Sequence, residues 1–444
     1  NYYQGPGWYK TQLEISNPYK NGRVLLEFEG AGQKTDVYIY TTKVGHHVGG
    51  YDSWNVDITE AVNKFLSSED AARFKGKVPL SIRCDNSRDA EMIPSNLSDF
   101  NVYGGIYRYL NLVYLPAVTV DEISIKPELN ADFRKATLKV TGSFYNPSDI
   151  RSANVCVTIK SPDGKVVKSN TIANITPLGK QLLMDVEIEK PEVWDVESPR
   201  RYTCEVAVKA DDEEVVSVER FGFRKFEFIE KGPFHLNGRR LLLRGTHRHE
   251  DHAGVAAAMT DSMIIKEMRM MKEMGVNFIR LGHYQQSEIV LDMCDELGIL
   301  VWEEIPWCRG GVGGDLYREQ ARRMLTNMIE QHYNHPSVII WGLGNENDWP
   351  NDFPKYEQSE IRAFMSELNT LSHTLDPERK TAIRRCDFCS DIVDVYSPTI
   401  WAGWYRGQFT QYQEFSKEAF DKVKHFLHVE WGGDSLSLIH ISEP

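Results

Sequence analysis

Val338-Ile339-Ile340-Trp341, running through Gly342-Leu343 into Gly344-Asn345-Glu346-Asn347, is the stretch that decides the fold. Four consecutive apolar residues read as a strand buried on both faces, because a strand with one wet face would alternate. The polar cluster directly after so apolar a run has to be hydrogen-bonded or used. The same unit recurs on either side. Residues 240–244, 276–281, 299–302, 381–383, 393–395 and 426–429 read as further strands, and 262–274, 287–297 and 320–333 carry helical spacing between them. Within 262–274, Met263, Ile264, Met268, Met271 and Met274 form a core-facing stripe. Repeated β-then-α units build a parallel sheet. Seven strands in this order, with no G-x-G-x-x-G turn after the first, predict a (β/α) barrel rather than an open doubly wound sheet.

Before the barrel the pattern is all β. Residues 1–116 carry short runs such as Val24-Leu25-Leu26-Glu27-Phe28 and Asp36-Val37-Tyr38-Ile39-Tyr40, cut by turn signals at Asn21-Gly22 and Gly49-Gly50. Many short strands between turns predict a jelly-roll-like β-sandwich. Residues 117–228 are simpler. Ala136-Thr137-Leu138-Lys139-Val140 alternates with period two, Ser161-Pro162-Asp163-Gly164 is a turn, and about seven strands fit an immunoglobulin-like β-sandwich. The expected organisation is multi-domain β plus α/β: 1–116, 117–228, and a barrel over 229–435.

Composition narrows the partners. Fifty-one basic against 64 acidic residues leave a net charge of −13, the wrong sign for nucleic acid or an anionic membrane surface. No run reaches the ~18 apolar residues of a membrane span. Ten Trp, 20 Tyr and 19 Phe offer flat apolar faces with polar edges, suited to sugar rings and equally to β-protein cores. Seven scattered cysteines make no disulfide framework. Cys386-x-x-Cys389 lacks the second ligand pair of a structural zinc site and reads as packing. The chain opens on Asn1 with no leader legible, which leaves the compartment open between the periplasm and cytoplasm of a bacterium.

In a (β/α) barrel, chemistry gathers where the strands end. Those ends carry His247, His249, Glu250, Asp251 and His252 after strand one, Arg280 and His283 after strand two, and Glu303-Glu304 after strand three. Asn345-Glu346 follow strand four, Tyr396 strand six and Glu430-Trp431 strand seven. Strands four and seven face each other across an eight-stranded barrel. Glu346 and Glu430 so placed can serve as acid and nucleophile on an acetal. His247-x-His249-x-Asp251-His252 supports a different chemistry, since that spacing also serves two-metal hydrolases, with two His on one ion and an Asp-His pair on a second.

Several stretches together resemble glycoside hydrolase family 2. They are Tyr103-Gly104-Gly105-Ile106-Tyr107-Arg108, Trp194 to Pro199, Phe221-Gly222-Phe223-Arg224, Leu236-Asn237-Gly238, and above all His335-Pro336-Ser337 leading to Asn345-Glu346. The resemblance implies a retaining exo-β-glycosidase on a TIM barrel, with no cofactor. It implies Glu346 as general acid/base, Glu430 as nucleophile, Asn345 on the sugar 2-hydroxyl, and His249 and His283 around the non-reducing sugar. Tyr396 matches the Tyr that orients the nucleophile, ahead of the aromatic segment that begins at Trp401. Asp99 falls where some members hold a sugar hydroxyl. In these roles Glu346 should have a raised pKa, from burial and the second carboxylate, and Tyr396 should hold Glu430. Trp302, Trp341, Trp401 and Trp431 are candidates for an apolar floor under the sugar.

Gln285 where the family has Pro, and Val429-Glu430-Trp431-Gly432 where it has Ser/Thr-Glu-Tyr/Phe-Gly, mark a divergent branch. The favoured substrate is a terminal β-galactoside. The alternatives are β-glucuronidase or β-mannosidase specificity, a non-catalytic carbohydrate-binding protein, and a zinc hydrolase built on His247, His249, Asp251 and His252. The expected partner is an oligosaccharide or glycoside, with no nucleic acid or membrane and with room for a homo-oligomer. The family's first domain begins further upstream and its barrel has an eighth strand and helix. The resemblance therefore implies an incomplete barrel, a chain truncated at both ends, and a non-native tail at 436–444.

Overall fold

Alternation builds the first sandwich. In the computed structural model, which describes residues 3–95, 97–98, 100–350 and 356–430, every second residue of Val78–Asp85 and of Lys34–Ile39 is buried. These two strands join Pro6–Leu13 and Thr42–Val48 in a four-stranded antiparallel sheet. A three-stranded sheet of Trp54–Asp57, Arg23–Phe28 and Leu110–Leu115 lies over it. Leu26, Phe28, Val37, Leu80 and Ile82 fill the space between. The next region repeats the plan with longer strands. Thr119–Leu129, Lys135–Tyr145 and Gly179–Glu189 pack over Val166–Ile175, Ala153–Lys160, Tyr202–Ala210 and Glu213–Phe221. Seven strands in two sheets make the immunoglobulin-like arrangement.

The remaining part is parallel. Among the described residues, Gly245–Arg248, Phe278–Leu281, Leu300–Glu304, Val338–Asn345, Lys380–Arg384 and Val395–Ser397 pair in sequence order as a six-stranded sheet, part of a TIM barrel. Strands two to four are buried on both faces. Helices Asp261–Glu273, Glu288–Leu297, Asp315–Gln331 and Gln358–Leu375 contribute buried faces to the same core. No helix among the described residues is long and apolar enough to cross a membrane. All seven cysteines are free thiols, and Cys386 and Cys389 are buried.

Two strand readings are corrected. The first barrel strand is Gly245–Arg248, not 240–244. Arg239–Arg240 pairs instead with Phe234–Leu236 in a small antiparallel sheet, and Leu241 and Leu243 pack on the cluster of Phe234, Leu236, Phe278 and Trp302. Two residues of the apolar run therefore pack against this cluster without the run entering the sheet, and Leu242 between them is exposed. The seventh strand shrinks to one parallel bridge, Tyr396 to Phe426, with Leu427 N donating to the Tyr396 carbonyl. Two helices escaped the spacing argument, Gln358–Leu375 and Tyr412–Lys422.

Buried side chains from the family-like motifs lock the sandwiches to the barrel. Arg108 donates from Nε to Glu250 at 2.8 Å and from its Nη atoms to the Tyr51 and Gln285 carbonyls at 2.7 and 2.9 Å. Trp194 Nε1 donates to the Asp295 carbonyl at 2.9 Å. Arg224 donates to the carbonyls of Pro336 and Val338.

Beneath this seam His335 Nδ1 lies 2.7 Å from Asp295 Oδ2, and Ser337 N donates to Asp295 Oδ1 at 3.0 Å. Burial disfavours the imidazolium, but the charge and hydrogen bond of Asp295 outweigh it and push the His335 pKa up to about 9. A raised folded pKa stabilises fully below the unfolded value of ~6.5, and that stabilisation is lost as pH rises through the folded value. The unfolding free energy in urea should therefore fall by on the order of 3 kcal/mol between about pH 6 and pH 10. His335→Gln should lower stability at the acid end of that window and flatten the slope. A variant with the wild-type slope would show that the pair does not carry it.

Candidate active site

Because parallel strands end together, their terminal polar residues share one cavity of about 1620 Å³ at the C-terminal rim of the sheet. Glu346 follows its strand at φ 55°, a left-handed conformation that a non-glycine residue holds only when its surroundings fix it. Its N–H donates to the Arg384 carbonyl at 3.1 Å. Glu346 and Glu430 share one guanidinium. Arg384 Nη1 donates to Glu346 Oε1, and Arg384 Nη2 lies 3.0 Å from Glu430 Oε1. Trp349 Nε1 donates to the other Glu346 oxygen at 2.7 Å, and Arg385 stands 3.5 Å away.

Arg280 supplies the second clamp. It is fully buried and donates to Glu430 Oε2 at 2.9 Å, to both Glu304 oxygens at 3.0 and 2.8 Å, and to Asn345 Oδ1 at 2.8 Å. Asn345 Nδ2 reaches Cys308 Sγ at 3.4 Å, so both ends of its amide are held. Every guanidinium nitrogen of Arg280 has an acceptor, which is the condition for burying such a charge.

These contacts overturn two expectations. Burial raises the Glu346 pKa as anticipated. The charge of Arg384, the hydrogen bond from Trp349 and the charge of Arg385 outweigh burial, and the group lies below the ordinary carboxylate value. Tyr396 does not hold Glu430: its hydroxyl donates to Asp387, and two guanidiniums hold Glu430 instead.

Three imidazoles cluster beside this network. His247 and His249 come from strand one and its end, and His283 from just beyond strand two. Their ring centroids are 5.1, 4.9 and 5.3 Å apart. His283 Nδ1 lies 2.6 Å from Glu304 Oε1. Burial, with the charge of Arg280, holds His247 and His283 well below the ordinary imidazole range. Burial lowers His249 as well. Phe100 of the first sandwich packs on His249 and His283 at 5.7 and 5.8 Å.

The other half of the histidine motif turns away. Asp251 accepts from the Tyr103 hydroxyl at 3.2 Å, and exposed His252 bonds its neighbour's carbonyl at 2.9 Å. With Asp251 and His252 engaged in these contacts, the two-metal arrangement is not assembled. Trp302 and Trp341 are core, not floor. Both are fully buried, with their indole N–H groups on Glu304 at 2.8 Å and Asp376 at 2.9 Å. Trp401 lines the cavity, edge-on to Tyr405 at 5.4 Å. Asp99 and Trp431 lie outside the described residues. Arg280 and Glu304 stand at strand ends in the sequence without an expected role, and Arg384 and Trp349 carry no expectation. The signal for Arg384 was there: an arginine at the end of the apolar Thr381-Ala382-Ile383 run has to be paired.

Fold and site define a class, and comparison with known families agrees. Residues 118–224 match the model described as Glycosyl hydrolases family 2, and residues 228–437 match its TIM barrel domain. The chain belongs to glycosyl hydrolase family 2. It is 69% identical to the Parabacteroides merdae beta-glucuronidase crystal structure, with a TM-score of 0.97 over 98% of this chain and 56% of that one. It is 43% identical to a putative beta-glucuronidase of Formosa agariphila, over 100% of this chain and 52% of the relative. It is 31% identical to a beta-galactosidase of Thermoanaerobacterium thermosulfurigenes, over 89% of this chain and 53% of the relative. The chain thus spans about half the length of the curated relatives it matches.

Gly282 makes the histidine cluster possible, since a Cβ there would sit 2.2 Å from His247 Nε2. Gly282→Ala should force the ring aside and cost ~1–3 kcal/mol. Thermal unfolding checks this, and an unchanged Tm would mean that His247 is not confined.

Proposed function

We propose that this chain carries the reacting centre of a retaining exo-β-glycosidase whose substrates are β-D-glucuronides. The observation that carries the reading is the pair Glu346 and Glu430 on one guanidinium at the strand ends of the barrel. A double displacement needs its two carboxyls ~5–5.5 Å apart, and one guanidinium in contact with both keeps them close. Glu430 attacks the anomeric carbon while Glu346 protonates the leaving oxygen. Glu346 then takes a proton from the water that releases the sugar from Glu430. For Glu346 to act as acid, its contact with Arg384 has to give way, and Glu430 offers that guanidinium a second anion. Asn345 bonds the 2-hydroxyl, and His249 and His283 line the terminal sugar.

The names of the Parabacteroides and Formosa relatives support glucuronides. They reverse the order reached from the sequence, where galactosides came first. The Thermoanaerobacterium relative supports β-galactosidase as the second reading. Aryl β-D-glucuronide should have a higher kcat/KM than the matching galactoside and mannoside. A faster galactoside would transfer the proposal to the second reading.

Glu346→Gln should lower turnover ~10²–10⁴-fold, with the smallest loss for the best leaving groups. Arg384→Met should move the alkaline limb of kcat/KM upward, because that limb reports ionisation of the acid in the free enzyme. A limb that stays in place would remove Arg384 from control of Glu346.

A further inference from the structure

We propose that His247, His249 and His283 form a three-imidazole site for one divalent transition metal of the zinc and cobalt type, and that this ion and the substrate's terminal sugar exclude each other. The first half stands on geometry. One ring nitrogen from each residue lies within 4.8 Å of the other two. Three imidazoles around one ion, with nitrogens ~2.0–2.1 Å from it, have centroids roughly 5 Å apart. The observed 4.9–5.3 Å is therefore close to the spacing an ion would impose.

The donors are also in the right state. His247 Nε2 and His249 Nδ1 are buried without a hydrogen-bond partner among the described residues. Such groups are costly unless something satisfies them. His283 is bonded through Nδ1 to Glu304. In metal sites that carboxylate–histidine contact fixes the tautomer and leaves the other ring nitrogen as ligand.

The nearest cation, Arg280, has Nη2 3.2 Å from His283 Nδ1, and Glu304 and Glu430 balance its charge. The motif's spacing gives Asp251 and His252 to a second ion, not to the one held by His247 and His249. The fold replaces that half with His283 from the adjacent strand. Three protein ligands leave a fourth position for water, as in open zinc sites. The exclusion half rests on the proposed function, which gives His249 and His283 to the sugar.

The test titrates cobalt(II) into the full 444-residue chain after chelator dialysis. One ion per chain should bind, with the visible absorption of a tetrahedral nitrogen site, and zinc should displace it. His247→Gln and His249→Gln should each weaken binding at least tenfold, and His252→Gln should leave it unchanged. Circular dichroism melts on all three variants separate a lost site from a lost fold. Absence of binding at millimolar cobalt overturns the site, as does a loss in His252→Gln in place of His249→Gln. Calorimetry with D-glucuronate then tests the exclusion, and zinc should abolish its binding. Equal glucuronate binding with and without zinc overturns the exclusion alone. A chain that binds zinc but never glucuronate overturns the sugar reading, and the exclusion with it, while the ion site stands.

Discussion

The buried guanidinium of Arg280 is the constraint around which the barrel rim is arranged. An isolated charge at zero exposure would cost of order tens of kcal/mol in a low-dielectric medium, so its neighbours must be acceptors. They come from strand three as Glu304, strand four as Asn345, and the segment after the barrel bridge as Glu430. Glu304 in turn anchors the Trp302 indole and His283. One charge therefore sets the relative positions of four chain segments. Removing any one acceptor would leave part of this buried charge unpaired.

The site is also composite. Arg108 belongs to the first sandwich, but its Glu250 partner follows barrel strand one and accepts from Ser287 N at 2.9 Å as well. Tyr51 stacks on Tyr284 at 4.2 Å across the same seam. These contacts bring Phe100 onto His249 and His283. The motif Tyr103 to Arg108 thus acts at a distance. It carries no chemistry itself, and it seats the sandwich that closes one wall of the cavity.

What was legible in the sequence follows from which forces are local. Strand positions came through because burial on both faces leaves a continuous apolar run, as in Val338 to Trp341. That Glu346 and Glu430 lie close together was legible because strand ends converge in a parallel barrel. Pairings across strands did not come through. Nothing near Arg384 in the chain says that it bridges two glutamates from other segments. The sign of the Glu346 shift depended on that bridge, so burial alone gave the wrong direction. The run Leu241 to Leu243 misled for a related reason: apolarity signals burial, yet Leu242 is exposed and only Leu241 and Leu243 pack, in part, on the cluster of Phe234 and Phe278. His283 could not be joined to His247 and His249 by spacing, since 34 residues separate it from His249 and only strand pairing brings them together.

The lowered proton affinity of Glu346 bears on how the two carboxylates are coupled. In the site without substrate, Arg384 and Arg385 hold Glu346 ionised, which is the wrong form for an acid. Arg280, Arg384 and Arg385 are all engaged with carboxylates of the protein. For the Glu346 carboxyl to donate a proton, its contact with Arg384 has to be exchanged, and Glu430 is the other carboxylate on the same guanidinium. The bridge that reverses the expected shift is therefore also the element through which the two carboxylates are coupled.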